Sequence, residues 1–204
     1  MFSKLQYISQ GNTAEEHFQH IQQVLDAGCN WIQLRIKQKN ELQKIAEKVK
    51  FLCEEYKASF IINDFIEIAK QVDANGVHLG LNDESVETAR KILGNNKIIG
   101  GTANSLSEVN QRITEKCDYI GLGPYRFTKT KQNLSPVLGI DGYKNILSSL
   151  SNNQIPIYAI GGIELEDIKL LFETGIYGIA LSGMLTREKN KKLCVKRINH
   201  ILYE

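Results

Sequence analysis

Proline is scarce in this chain, and long apolar runs are missing. Three prolines in 204 residues and no low-complexity tract leave no room for a linker, so one domain over residues 1–204 is expected. No apolar stretch approaches the roughly 20 residues that span a bilayer, and Met1–Leu5 runs directly into a strand pattern. That combination points to a cytoplasmic protein without a membrane partner. The cations are dispersed and the formal net charge is +2, so the basic stripe of a nucleic-acid binder is absent. The four cysteines, Cys29, Cys53, Cys117 and Cys194, are widely spaced with no Cys-x-x-Cys pair, which favours reduced thiols over a disulfide framework. No Gly-x-Gly-x-x-Gly follows the first strand, no His/Cys cluster is spaced for zinc, and no Ser/His/Asp or Cys/His pairing stands out. Chemistry in such a chain must rest on electrostatics.

What is present is an alternation of short apolar runs and amphipathic stretches. Strands are expected near Leu5–Ser9, Trp31–Arg35, Ser59–Ile62, Gly76–Leu79, Lys97–Gly101, Tyr119–Gly121, Pro156–Ile160 and Gly178–Leu181. Helices are expected over Thr13–Ala27, Glu41–Tyr56, Ile66–Val72, Ser85–Leu93, Ser105–Glu115, Tyr143–Leu150, Leu165–Thr174 and Glu188–Ile201. Each crossover returns the chain to the same end of a parallel sheet, and eight such units close into an α/β fold, the (β/α)8 TIM barrel. An open, doubly wound sheet is the rival.

Polar clusters sit at the ends of several runs, where barrel enzymes place chemistry. Gln33, Arg35 and Lys37 alternate along one face, with Trp31 deeper in the same row; together they offer amide, guanidinium and ammonium donors to phosphate. A solvated basic turn is the plainer reading. Asn63 and Asp64 end the third run and Asp83 follows the fourth, so Asp64 and Asp83 either hold Mg²⁺ through waters and substrate phosphates or cap the helices that follow them. Thr128, Thr130 and Lys131 lie in the long connection between strands six and seven, which is either an anion-binding loop or a solvated one. Gly161–Gly162 and Leu181–Ser182–Gly183 let backbone amides approach a phosphate, or serve tight turn packing. His78, mid-strand, reads as a hydrogen-bonded interior residue, and His17, His20 and His200 as solvated helix positions.

Taken in order, these motifs resemble thiamine phosphate synthases along essentially the whole chain. Gln33-Leu34-Arg35-Ile36-Lys37 is similar to that family's diphosphate clamp. Asn63-Asp64 with Glu67-Ile68-Ala69, Gly76-Val77-His78-Leu79-Gly80 with Asp83, Gly123-Pro124, Thr128-x-Thr130-Lys131 and Ile160-Gly161-Gly162-Ile163 complete the set. The resemblance implies coupling of 4-amino-5-hydroxymethyl-2-methylpyrimidine diphosphate to the ring nitrogen of a thiazole phosphate, giving thiamine monophosphate and diphosphate. It implies Asp64 and Asp83 as Mg²⁺ ligands. Gln33, Arg35, Lys37, Asn63, Thr102 and Lys131 would contact the pyrimidine substrate, with Arg35, Lys37 and Lys131 carrying the catalytic charge. Thr128, Thr130, Gly162, Leu181 and Ser182 would hold the thiazole phosphate. Departures from the family pattern are Leu81 for Gln, Thr102 for Ser, Asn104 for His, and Arg126. Two alternatives share the scaffold: a thiazole tautomerase, which uses a histidine where this chain has Asn104, and a non-catalytic binder of thiamine precursors. A homo-oligomer is left open.

Overall fold

The computed structural model describes residues 2–127, 136–150 and 155–204. Eight strands close into one barrel in sequence order, every neighbouring pair parallel: β1 (Leu5–Ile8), β2 (Trp31–Leu34), β3 (Ser59–Asn63), β4 (Gly76–Leu79), β5 (Ile98–Ala103), β6 (Tyr119–Leu122), β7 (Ile157–Ile160) and β8 (Gly178–Leu181). The closed (β/α)8 topology replaces the open-sheet alternative. β2 stops at Leu34, one residue short of the expected end, while β3 reaches Asn63 and β5 reaches Ala103.

The helices are α1 (Ala14–Asp26), α2 (Lys39–Glu55), α3 (Ile66–Gln71), α4 (Val86–Leu93), α5 (Leu106–Thr114), α6 (Gly139–Ser148), α7 (Ile168–Phe172), α8 (Gly183–Arg187) and α9 (Lys191–Tyr203). α1 starts because the Thr13 hydroxyl accepts from the Glu16 N–H at 3.1 Å, and stops where Gly28 takes φ +96°. α2 buries the expected stripe Leu42, Ile45, Ala46, Val49, Leu52 and Cys53 against the barrel. Three expectations are corrected. α6 begins at Gly139 rather than Tyr143, a short 3-10 turn (Leu165–Asp167) precedes α7, and the helix expected over Glu188–Ile201 runs from Lys191 to Tyr203 as α9, with a short helix, α8, before it that was not expected. All four cysteines are buried and free. Among the described residues, no helix is long and apolar enough to cross a membrane.

Side chains facing outward from the strands join the helix stripes in one apolar layer. Those facing inward form a separate cluster of Trp31, Ile61, Tyr119 and Tyr158. Trp31 meets Tyr119 and Tyr158 edge-on at 5.0 and 5.1 Å between ring centroids, and Phe2 stacks beneath Trp31 at 5.2 Å. This aromatic plug fills the N-terminal half of the barrel. The polar interior positions are thereby confined to the other end.

Candidate active site

Toward the C-terminal ends of the strands the interior changes from aromatic to polar: Gln6, Gln33, Asn63, His78, Thr102 and Asn104 are all buried. Gln33 Nε2 donates to Asn63 Oδ1 at 2.7 Å across β2 and β3, so the expected clamp residue and its neighbour touch. Gln33 Oε1 is buried without a hydrogen-bond partner among the described residues. An orphaned buried carbonyl costs about 1–3 kcal/mol, a cost that an N–H from a ligand would remove.

Arg35 stands just past β2, half-buried, and its backbone N–H donates to the Ser9 hydroxyl at 3.0 Å. Ser9 in turn bonds His17 Nδ1 at 2.7 Å. His17 is therefore not solvated: it is buried on α1 and braces the end of β2. Burial pushes its pKa below the ordinary 6.5, against a raising contribution from the Gly11 carbonyl; His20 and Arg35 lower it further and Glu16 raises it. His20 is likewise engaged, with Nδ1 2.7 Å from the Gln10 carbonyl, and of the three only His200 is exposed. Lys37 lies exposed beyond the strand, where the alternation that aligned it with Gln33 no longer applies.

Asp64 adopts φ +68°, and its N–H donates to the His78 carbonyl at 2.8 Å, extending the β3–β4 ladder past the strand. α3 is capped by Phe65 without a side-chain bond, and α4 by Ser85, whose hydroxyl accepts from the Thr88 N–H at 3.0 Å. The helix-cap alternative thus fails for both acids. Asp83 instead folds back so that Oδ2 accepts from the Gly80 N–H at 2.6 Å, fixing the carboxylate at the end of β4. The two carboxylates rise from adjacent strands. No cluster of three His, Cys, Asp or Glu exists among the described residues, so this donor set suits a cation that keeps waters and takes further oxygens from a ligand.

Behind these ends lies a residue that periodicity alone did not single out. Arg112 on α5 is buried; its Nε donates to the Thr102 carbonyl at 3.0 Å, Nη2 to the Gly80 carbonyl at 2.9 Å, and Nη1 to Glu115 at 2.7 Å. One planar guanidinium therefore ties the ends of β4 and β5 together. An Arg at a helix position whose neighbours Val109 and Ile113 pack inward was the available signal.

On the far side, Gly161 (φ +93°) and Gly162 (φ +68°) take a backbone form that other residues rarely adopt. A Cβ on either would crowd Pro124 or Arg126, so the turn-packing reading holds for both. Arg126 donates to the Gly162 carbonyl at 3.1 Å and forks onto Asp167 at 2.5 and 2.7 Å, fastening the start of the β6–α6 connection to the β7 end. Burial would raise the Asp167 pKa, but the Arg126 guanidinium more than offsets this and holds it below the ordinary value. Asn104 reaches across from β5 to the Gly123 carbonyl. The Leu181 side chain is buried in the outer layer, leaving only its backbone to face the mouth, and the Ser182 hydroxyl lies 3.5 Å from Gln10 Oε1. Thr128, Thr130 and Lys131 fall outside the described residues.

Gln33, Arg35, Asn63, Asp64, Asp83, Thr102, Gly162 and Ser182 thus stand at the C-terminal ends of six strands on one rim. The family described as thiamine monophosphate synthase matches residues 5–185. The chain belongs to that family. It is 53% identical over 207 residues to a thiamine-phosphate synthase of Flavobacterium johnsoniae, covering 100% of this chain and 98% of that protein. A second, from Flavobacterium psychrophilum, is 53% identical with 98% of both chains covered. Among solved structures, a thiamine phosphate pyrophosphorylase from Pyrococcus furiosus superposes with a TM-score of 0.83 at 30% identity, covering 98% of this chain and 95% of that one. Membership makes this chain an enzyme, a transferase of thiamine biosynthesis.

Proposed function

We propose that the barrel, acting as one domain over residues 1–204 in the cytoplasm, couples 4-amino-5-hydroxymethyl-2-methylpyrimidine diphosphate to a thiazole phosphate with the help of Mg²⁺. The C–O bond to diphosphate breaks with its electron pair leaving on oxygen, and the thiazole nitrogen lone pair forms the new C–N bond. No proton need be abstracted for that step, in keeping with a rim that shows no obvious general base among the described residues. Asp64 and Asp83 would hold Mg²⁺. Bound there, the ion neutralises charge on the departing diphosphate.

Arg35, Lys37 and Lys131 add fixed positive charge around the leaving group, the form of stabilisation that counts most when charge develops in the transition state. Gln33 and Asn63 orient the pyrimidine, and Thr102 donates to it. Thr128, Thr130, Gly162, Ser182 and the Leu181 backbone receive the thiazole phosphate and align the two partners. The observation that carries the reading is the buried Gln33–Asn63 pair at 2.7 Å, beside Asp64, with an amide oxygen that lacks a donor. The exocyclic amino group of the pyrimidine has the N–H that this oxygen needs.

The test is incubation of the purified protein with both precursors, with and without Mg²⁺, followed by detection of thiamine phosphate and diphosphate. Mg²⁺-dependent formation of both products is expected. Calorimetric binding of the pyrimidine diphosphate without product would make the chain a precursor-binding protein. Interconversion of thiazole tautomers without coupling would make it a tautomerase.

A further inference from the structure

A hydrogen-bonded column crosses the barrel interior between the aromatic plug and the rim. Gln6 Nε2 on β1 donates to the Tyr119 hydroxyl on β6 at 3.2 Å. That hydroxyl lies 3.0 Å from His78 Nδ1 on β4, and His78 Nε2 lies 3.0 Å from the Thr102 hydroxyl on β5. Four side chains from four strands are joined, and all are buried. The barrel makes room for them with glycines. A Cβ at Gly100 would overlap the Tyr119 ring, and one at Gly121 would stand 3.2 Å from His78 Cε1.

The column has a direction. A tyrosine hydroxyl carries one proton; with Gln6 donating to it, the arrangement that gives His78 Nδ1 a donor sends that proton to the ring. A ring that accepts at Nδ1 carries its hydrogen on Nε2, where it is donated to Thr102. Thr102 Oγ1 is thereby an acceptor from below, and its own proton is left for an acceptor above it, in the mouth of the barrel. We propose that His78 is a positioning residue, held in the Nε2–H tautomer by Gln6 and Tyr119, that sets the Thr102 hydroxyl as a donor to an acceptor atom of the pyrimidine diphosphate. This rests on Thr102 contacting that substrate, as proposed above. Selectivity follows: an acceptor at that point of the ligand is bound, and a donor there is rejected, because an unpaired buried polar group costs more than a hydrogen bond gains.

The test is a double-mutant cycle on coupling, with Thr102→Val, His78→Leu, the pair, and His78→Gln, which returns an N–H near the Nε2 position. Thr102→Val and His78→Leu are each expected to raise the KM for the pyrimidine diphosphate about tenfold, with the KM for the thiazole phosphate unchanged. His78→Gln should recover most of the loss, and His78→Leu should cost less than about twofold once Thr102 is valine. A tenfold loss in both backgrounds, or no loss from His78→Leu in either, overturns the proposal. No effect of Thr102→Val removes the Thr102 assignment and the proposal with it. Nitrogen NMR of the unaltered protein reads the tautomer independently of folding in the variants and of any coupling activity. Hydrogen on Nε2 is expected, and hydrogen on Nδ1 would overturn the column even if the chain proved a competent synthase.

Discussion

At the N-terminal end of the barrel, Trp31, Tyr119 and Tyr158 pack ring against ring with Phe2 beneath them, and the Trp31 Nε1 is buried without a hydrogen-bond partner among the described residues. At the C-terminal end of the same strands, Gln33, Asn63, His78 and Thr102 occupy the equivalent inward positions and bond to one another or to the residue below. Tyr119 belongs to both regions: its ring is in the plug and its hydroxyl starts the polar network. The lower half buys stability by burying aromatic area; the upper half forgoes that gain to keep donors and acceptors in fixed directions. Changes below should therefore alter folding and spare binding, and changes above should do the reverse.

The sharpest way to break this division is Trp31→Ala. Removing the central ring of the plug leaves a cavity inside a closed barrel, and a loss of about 3–5 kcal/mol in unfolding free energy is expected. Urea denaturation measures it. Folded protein should retain both substrate KM values within about twofold, and a selective loss of pyrimidine binding would show that the two halves are not separable. Next in size, Asp64→Ala and Lys131→Ala should each lower coupling turnover by about 100-fold, the scale of lost transition-state charge stabilisation. Their thermal midpoints should stay close to the parent's; near-normal rates in both would end the residue assignments.

Arg112 sits where the two regimes meet. It is buried, and two of its bonds go to the backbone carbonyls at the ends of β4 and β5. Arg112→Met strands those carbonyls and should cost about 1–3 kcal/mol of stability. It should also raise the KM for the pyrimidine diphosphate, because both Thr102 and the Gly80–Asp83 turn are released. Loss of stability with substrate binding intact would place Arg112 wholly on the structural side.

The barrel was legible because its signal is local: each strand is a short apolar run, and each helix carries its own cap and stripe, as Thr13 and the Leu42–Cys53 face show. Strand ends were legible for the same reason, and so Gln33, Asn63, Asp64 and Asp83 were read as one rim. What the residues did not reveal is set by contacts between distant segments. His17 looks like a surface helix position until β1 brings Ser9 beside it, and Arg112 until Thr102 and Gly80 present their carbonyls. Asp64 and Asp83 were ambiguous between metal and cap because one carboxylate suits both. Geometry removes the cap reading, since Phe65 and Ser85 hold the cap positions, and leaves the metal role as the proposal. α8 escaped notice because five residues following directly on β8 are too few to show a periodic stripe.

The smallest predicted effect probes the outer brace of the clamp. His17 is buried against Ser9, and burial keeps its pKa below the ordinary 6.5. As pH falls past that value the unfolded chain takes up a proton that the folded state does not, so folding stability declines from about 6.5 downward until the folded-state ring titrates as well. His17→Asn removes this slope. Above the ordinary histidine range the variant should be less stable by about 1 kcal/mol, the worth of the Ser9 bond. On acidification the parent loses its advantage and the two curves converge. Urea midpoints of both proteins at about pH 7.5 and about pH 5.5 measure the difference. Parallel curves would mean that the folded ring takes up its proton in the ordinary histidine range, and a protonated ring can only donate to Ser9. Ser9 would still accept from the Arg35 N–H, but its own proton would have to find another acceptor.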